Sequence, residues 1–223
     1  NPSLYVNAGL DPRKDFAPIG LVASMPVVLL ANASFPAKTV ADFIALAKKQ
    51  PGKLNLGTSA VGTGGYMCAE LFKSMAGIDV AIIPYKGTAP VMNDLLGGHV
   101  PMAFGVLPPA LGNIQAGKLR ALAVTSLKRS SLLPDTPTFD ESGLPGFEGV
   151  LHYGVLAPAG TPKEIVDKLS AELRKLVGTE DVKKRIYAEG GDPMTSTAAE
   201  YAADIDKEEK KWGGLVRKLG LKV

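Results

Sequence analysis

The residues whose types and spacing suit chemistry gather in one uncharged stretch, Gly57, Thr58, Ser59, Gly62, Thr63, Gly64 and Gly65. Leu54 and Leu56 alternate ahead of it as in a strand. Met67, Leu71 and Met75 follow at helical spacing, so the glycines and hydroxyls fall in a strand-to-helix turn with the helix beginning near Gly65. A turn of this kind brings backbone N–H groups together at a helix N-terminus, which suits an anion. The spacing fits equally an ordinary loop whose glycines serve only the turn, because a lone glycine-rich loop is a weak motif. Two more polar turns, residues 84–88 and 105–108, follow apolar runs. In open α/β sheets, ligands bind outside the carboxyl ends of strands. Tyr85 adds an aromatic face there, and Lys86 reads either as a solvated turn lysine or as a ligand contact.

Other chemistries lack their residues. Residues 57–61 break the nucleophile-elbow pattern at Val61. No Gly-Lys-Ser/Thr follows the glycines, and residues 62–65 lack the later glycine of a dinucleotide fingerprint. Neither His99 nor His152 has a Cys, Asp or Glu at metal-ligand spacing. His99 reads as an exposed turn residue, and His152, inside an apolar strand, faces either a core or a cleft. Cys68 is the single cysteine, which excludes an intrachain disulfide framework and reads as a small buried hydrophobe. The carboxylates concentrate in the C-terminal helices, which leaves acid–base catalysis without candidates. No metal and no cofactor is expected. A net charge of +3 with scattered Lys and Arg implies no nucleic-acid partner, and no apolar run reaches the roughly 18 residues of a membrane span.

Behind these turns, strands and helices alternate. Residues 1–15 read as a polar, turn-rich surface segment. Residues 21–23 and 27–31 read as two strand pieces separated by Pro26. Thr39 caps a helix with Val40, Phe43, Ile44 and Ala47 on one face. Residues 80–83 read as a buried strand, Val91, Leu95 and Leu96 as a helix closed by Gly97 and Gly98, and residues 100–106 as a further strand. Pro108 and Pro109 open a short helix, and residues 119–124 form another strand. This alternation is that of an α/β unit with a mainly parallel sheet. Residues 126–146, rich in proline and glycine, change character to a loop or crossover.

The tail holds one clear strand, residues 149–157, and three helices. Thr161 and Glu164 form a capping box with Pro162 at the first helical position, and that helix is expected to bury Ile165, Leu169, Leu173 and Leu176. Thr179 caps a short helix. Thr197 and Glu200 form a second capping box for a last helix with Tyr201, Ile205, Trp212 and Val216 on its apolar face. One strand and three helices do not complete an α/β domain. The tail therefore packs on the first unit, or its sheet is completed by residues upstream of Asn1.

The order of motifs resembles a known family. Gly57-Thr58-Ser59 with Gly62-Thr63 is followed by Ile83-Pro84-Tyr85-Lys86-Gly87, Leu95-Leu96-Gly97-Gly98-His99-Val100 and residues 117–126. Residues 133–143 and Ala157-Pro158-Ala159-Gly160-Thr161-Pro162 complete the series. Together they are similar to the periplasmic solute receptors of tripartite tricarboxylate transporters, the Bug-type extracytoplasmic binding proteins, over essentially the whole chain. The resemblance implies a periplasmic-binding-protein-like α/β fold of the type II, Venus flytrap kind. Residues 26–125 would form lobe two, and residues 1–25 and 126–223 part of lobe one. A signal peptide and the first part of lobe one would lie upstream of Asn1.

It also implies a monomeric, non-enzymatic receptor for a small carboxylate (a dicarboxylate, a tricarboxylate or an aromatic acid), working with membrane permease subunits. Ser59, Gly62, Thr63 and Gly64 match the family's carboxylate-binding turn. Tyr66 stands where the family commonly has His, Gly105 where it commonly has Asp, and His152 where Trp is frequent. With Tyr85 and Lys86 these make up the expected ligand-binding set. The lost carboxylate at Gly105 weakens the case for an amine-bearing ligand. Two alternatives stay open: an enzyme on a similar bilobal scaffold with His152 or Lys86 as acid–base, and a sensory receptor for a signalling partner.

Overall fold

The computed structural model describes residues 3–5, 9 and 11–222. They fall into two compact units, one of residues up to Ser24 and from His152 onward, the other Met25–Leu151. Strand β1 (Phe16–Asn32) gives its first half to unit 1 and its second half to unit 2. Pro26 does not break it. The registers of β1 with β4, β5 and β7 do not use Met25 or Pro26, so the missing N–H interrupts none of these three pairings.

Unit 2 continues with α1 (Val40–Lys49), β2 (Asn55–Thr58), α2 (Gly64–Ala76), β3 (Ala81–Pro84), α3 (Thr88–Gly97), β4 (Met102–Val106), α4 (Pro108–Gln115) and β5 (Leu119–Val124). Its sheet order is β3-β2-β4-β1-β5. Strand β2 runs parallel to β3 and β4, while β1 is antiparallel to both β4 and β5. The sheet is thus mixed rather than mainly parallel. Strands β4 and β5 run the same way because α4 carries the chain over β1, which lies between them. β3, expected to be buried, is an edge strand with Ala81 and Pro84 exposed.

Each face of this sheet is covered. On one, Val28 and Leu30 of β1, Ala103 of β4 and Val124 of β5 meet Val91 and Leu95 of α3 and Ala110 of α4. On the other, the rings of Phe43, Phe72, Phe104, Phe139 and Phe147 form a continuous series with centroid separations of 4.2–6.2 Å. All five are fully buried. Two of them lie in residues 126–151, which therefore pack with unit 2 and not with the tail. The Thr125 hydroxyl seals this segment, donating to the Gly149 carbonyl at 2.6 Å, and a parallel bridge joins Val124 to Thr138.

Unit 1 holds the first half of β1, paired with β6 (Val150–Pro158) and with the two-residue β7 (Asp192–Pro193), and the helices α5 (Lys163–Val177), α6 (Glu180–Ala188) and α7 (Ala198–Leu219). The expected Thr197 capping box on α7 is present, as is a Thr39–Asp42 box on α1. The one expected on α5 is not. Its cap position is Pro162, and the Thr161 hydroxyl donates back to the Pro158 carbonyl at 2.7 Å. Nor does the Thr179 hydroxyl cap α6, since it donates to Leu176 O instead. Near the chain start Leu4 is buried, so this segment is more than a surface turn.

The α5 stripe behaves unlike its pattern: Ile165, Leu169 and Leu176 are 47%, 47% and 56% exposed, and Tyr153 and Val155 of β6 are also exposed. Periodicity marks a face as apolar without supplying what covers it.

Phe139→Ala deletes the ring at the centre of the aromatic series. It is expected to lower stability by about 3–5 kcal/mol, the usual cost of removing a buried ring. A denaturant titration followed by circular dichroism measures this, and a loss below about 1 kcal/mol would contradict the packing described.

Candidate functional site

The glycine-rich turn lies between β2 and α2, and its hydroxyls are wired inward. The Thr63 hydroxyl donates to the Ala60 carbonyl at 2.7 Å, and the Ser59 and Thr63 hydroxyls are 2.9 Å apart. With the Thr63 proton so used, Ser59 is the donor of that pair. Thr63 is the N-cap of α2, its oxygen facing the Tyr66 N–H at 3.5 Å. The N–H groups of Gly64 and Gly65, the first two of the helix, have no acceptor within it.

Helix α3 begins nearby with Gly87 at its cap position and no side-chain cap bond. Its first N–H groups are likewise without an intrahelical acceptor. The two starts meet at one cavity of about 300 Å³ within unit 2. Ser59, Thr63, Gly64, Gly65 and Thr88 supply its polar lining, and Val27, Val91, Phe104, Val106 and Leu151 its carbon lining, with Gly105 near the end of β4. No lining residue is charged. Partial positive charge from two helix dipoles, each worth roughly 0.3–1 kcal/mol to an anion, is therefore uncompensated by any carboxylate in the wall.

Two glycines give this cavity its form. A Cβ on Gly57 would lie 2.8 Å from Val91 Cγ2, so glycine there lets α3 approach β2 closely. A Cβ on Gly64 would lie 2.3 Å from Leu151 Cδ2, so the Leu151 side chain rests on the bare backbone of the turn. At Gly105 a Cβ would point at Leu30 Cδ1, 3.3 Å away, toward the core; this residue offers only backbone to the cavity.

Of the expected ligand-binding residues, Ser59, Thr63, Gly64 and Gly105 line this cavity, while Gly62, Tyr66, Tyr85 and Lys86 do not. Tyr85 is a strut, its phenol donating to Asp94 Oδ2 of α3 at 2.7 Å, and Lys86 is exposed. His152 belongs to unit 1, where its Nδ1 lies 2.7 Å from Asp204 Oδ2. It lines a separate cavity of about 280 Å³ with Tyr201, Glu208 and Trp212, whose indole N–H donates to Glu208. Gly65, Thr88, Val27, Val91, Phe104, Val106 and Leu151 were not among the expected site residues. Thr88, at the first turn of α3, follows from the same strand-end argument as the glycine turn. Leu151 carried no local signal, because only tertiary packing lays it over Gly64. Among the described residues, no cluster of His, Cys, Asp or Glu is suited to a metal, and no helix is long and apolar enough to cross a membrane.

Burial raises the Tyr85 phenol from 10.0 to about 12, helped by its bond to Asp94. Burial, with the Glu70 carboxylate, does the same for Tyr66. Folding thus favours the neutral phenols. Their contribution is fully present below pH 10 and is lost as pH rises through the folded values near 12. Tyr85→Phe is expected to lessen the loss of stability between pH 10 and 12 and to remove one late-ionising tyrosine from an alkaline absorbance titration. Ionisation of every tyrosine near 10 would contradict this.

A family model described as "Tripartite tricarboxylate transporter family receptor" matches residues 1–221. A solved structure of Rpa4515 from R. palustris with adipate is 34% identical, with a TM-score of 0.89, covering 99% of this chain and 74% of that one. The periplasmic binding protein BugD is 36% identical, with a TM-score of 0.87 and coverages of 100% and 75%. MatC (Rpa3494) of Rhodopseudomonas palustris, with bound malate, is 29% identical, with a TM-score of 0.83 and coverages of 96% and 74%. The chain spans 60–64% of the length of the curated relatives that it matches at 33–35% identity. A family match along nearly the whole chain, joined to close likeness with periplasmic solute-binding structures, places this protein in the tripartite tricarboxylate transporter receptor family.

Proposed function

We propose that this chain belongs to a periplasmic receptor that captures a small carboxylate and delivers it to membrane permease subunits, without turning it over. The observation that carries the reading is the convergence of the α2 and α3 N-termini on one uncharged cavity. The helix-start N–H groups there match the acceptor oxygens of a carboxylate, and a carboxylate bound there would need no arginine. The ligands of the two receptors above, adipate and malate, are both dicarboxylates, which supports a ligand of this class.

In this reading Gly64 is the contact that most restricts the wall. Gly64→Val places carbon where Leu151 and a carboxylate must both approach the backbone. It is expected to weaken adipate binding by tenfold or more in calorimetric titration of the full-length protein, with an unchanged far-ultraviolet spectrum. Unaltered affinity would remove the turn from the site.

We further infer that unit 1 is part of a lobe completed by residues outside these 223. The exposed Tyr153, Val155, Ile165, Leu169 and Leu176 form the apolar surface such residues would cover, and the curated relatives are longer by a margin that could supply them. The 223-residue chain is expected to bind anilinonaphthalene sulfonate strongly and the full-length protein weakly. Equal fluorescence from both would overturn the inference.

A further inference from the structure

We infer that Thr125 is a positioning residue for the unit 2 cavity: its hydroxyl, outside the lining, holds Val27 and the segment leading to Leu151 where they close that space. Its role in binding rests on the carboxylate reading above. Strand β5 ends at Val124, and Thr125, the next residue, is fully buried. Backbone and side chain of Thr125 bond to the same two neighbours. The Thr125 N–H donates to the Val27 carbonyl, and the Gly149 N–H to the Thr125 carbonyl, both at 2.9 Å. The hydroxyl makes the reverse pair: it accepts the Val27 N–H at 2.8 Å and donates to the Gly149 carbonyl at 2.6 Å. The Val27 carbonyl lies farther from it, at 3.0 Å, and already receives the Thr125 N–H.

Both ends of this bridge lead to the cavity. Val27 lines it directly, and Leu151, next but one after Gly149, lines it and rests on Gly64. Two residues of extended chain span at most about 7 Å, so the place of Gly149 limits where Leu151 lies. Helix α2 is tied to the same point, because the Cys68 thiol donates to the Gly149 carbonyl at 3.5 Å, about one turn on from Gly64. Val27, Leu151 and the start of α2 are thus linked through one buried hydroxyl and one carbonyl. Exchanging that hydroxyl for a methyl keeps the side-chain shape. It leaves the Val27 N–H without this acceptor and the Gly149 carbonyl without its shorter bond, a cost in a buried place that favours movement of the backbone.

Two variants of the full-length protein separate position from stability. Thr125→Val keeps the shape without the hydroxyl, and Thr125→Ser keeps the hydroxyl and gives up a buried methyl. In calorimetric titration well below melting, Thr125→Val is expected to bind adipate at least about tenfold more weakly and Thr125→Ser within about threefold of the unaltered protein. A loss that only lowers stability would leave both affinities unchanged. Hydrogen exchange read by mass spectrometry needs no ligand. Peptides covering residues 60–68 and 147–152 are expected to exchange at least about threefold faster in Thr125→Val, with α1 unaffected and the Thr125→Ser peptides close to those of the unaltered protein. Unchanged exchange in those two peptides, or an equal rise in α1, overturns the positioning role. Faster exchange with unchanged adipate affinity overturns the role in binding alone. If the unaltered protein binds no adipate, the carboxylate reading falls with that role, and the exchange result still decides whether Thr125 positions the walls.

Discussion

A parallel strand ladder must return by a crossover, and each crossover helix starts at the carboxyl end of the strand before it. In unit 2 this constraint sets the site. Strands β2, β3 and β4 run together, so α2 and α3 both begin at the same edge of the sheet. Every helix start leaves N–H groups that the helix cannot satisfy. Here two such starts open onto a cavity with no charged side chain, one capped by Thr63 and the other by a glycine that offers no cap at all. The donor set follows from backbone topology, and side chains mainly decide what else fits beside it.

Packing turns that topology into a defined space. Glycine at 57 allows α3 to lie close over β2, and the Tyr85–Asp94 bond ties the preceding loop to the body of α3. On the opposite face the aromatic series, reaching from Phe43 to Phe147, binds residues 126–151 to the sheet and so delivers Leu151 to the turn. The Leu151 part of the cavity's lining is thus a product of long-range packing, whereas the glycine turn is local. Rings at these separations add to area burial by favourable offset and edge contacts, which suits a scaffold that must hold donor groups to a fixed geometry.

Unit 1 shows the opposite balance. Its longest helix, α7, is capped at both ends and buries Tyr201 and Val216, yet α5 and β6 leave large apolar side chains in solvent. Within it His152 Nδ1 lies against Asp204 across β6 and α7, and the Trp212 indole N–H donates to Glu208, so these two pairs are already made. That contrast separates a cavity lined by helix-start N–H groups from one crossed by side-chain pairs. It also explains why His152, chemically the most versatile side chain in the tail, acts in unit 1 as a tie between strand and helix.

Features governed by neighbours in the chain were legible from the sequence alone. The Thr39 cap, the Thr197 capping box, the strand–turn–helix at Gly57 to Gly65, the helix opened by Pro108 and the burial of Cys68 all depend on a few adjacent residues. The ordered series of such short motifs carried the family. Tertiary structure alone decided the rest. Whether Pro26 ends a strand depends on which partner residues lie opposite it, and whether the sheet is parallel depends on β1 lying between β4 and β5. Thr161 has the right spacing to cap α5, but the Pro158 carbonyl takes its proton. Tyr85 and Lys86 sit in a turn beside the site without lining its cavity, because the Asp94 carboxylate holds the tyrosine and Lys86 stays exposed. Leu151 reaches Gly64 from 87 positions away. Periodicity and caps describe one segment's own preferences; partners, coverage and cavities are properties of pairs of segments, and no single segment encodes them.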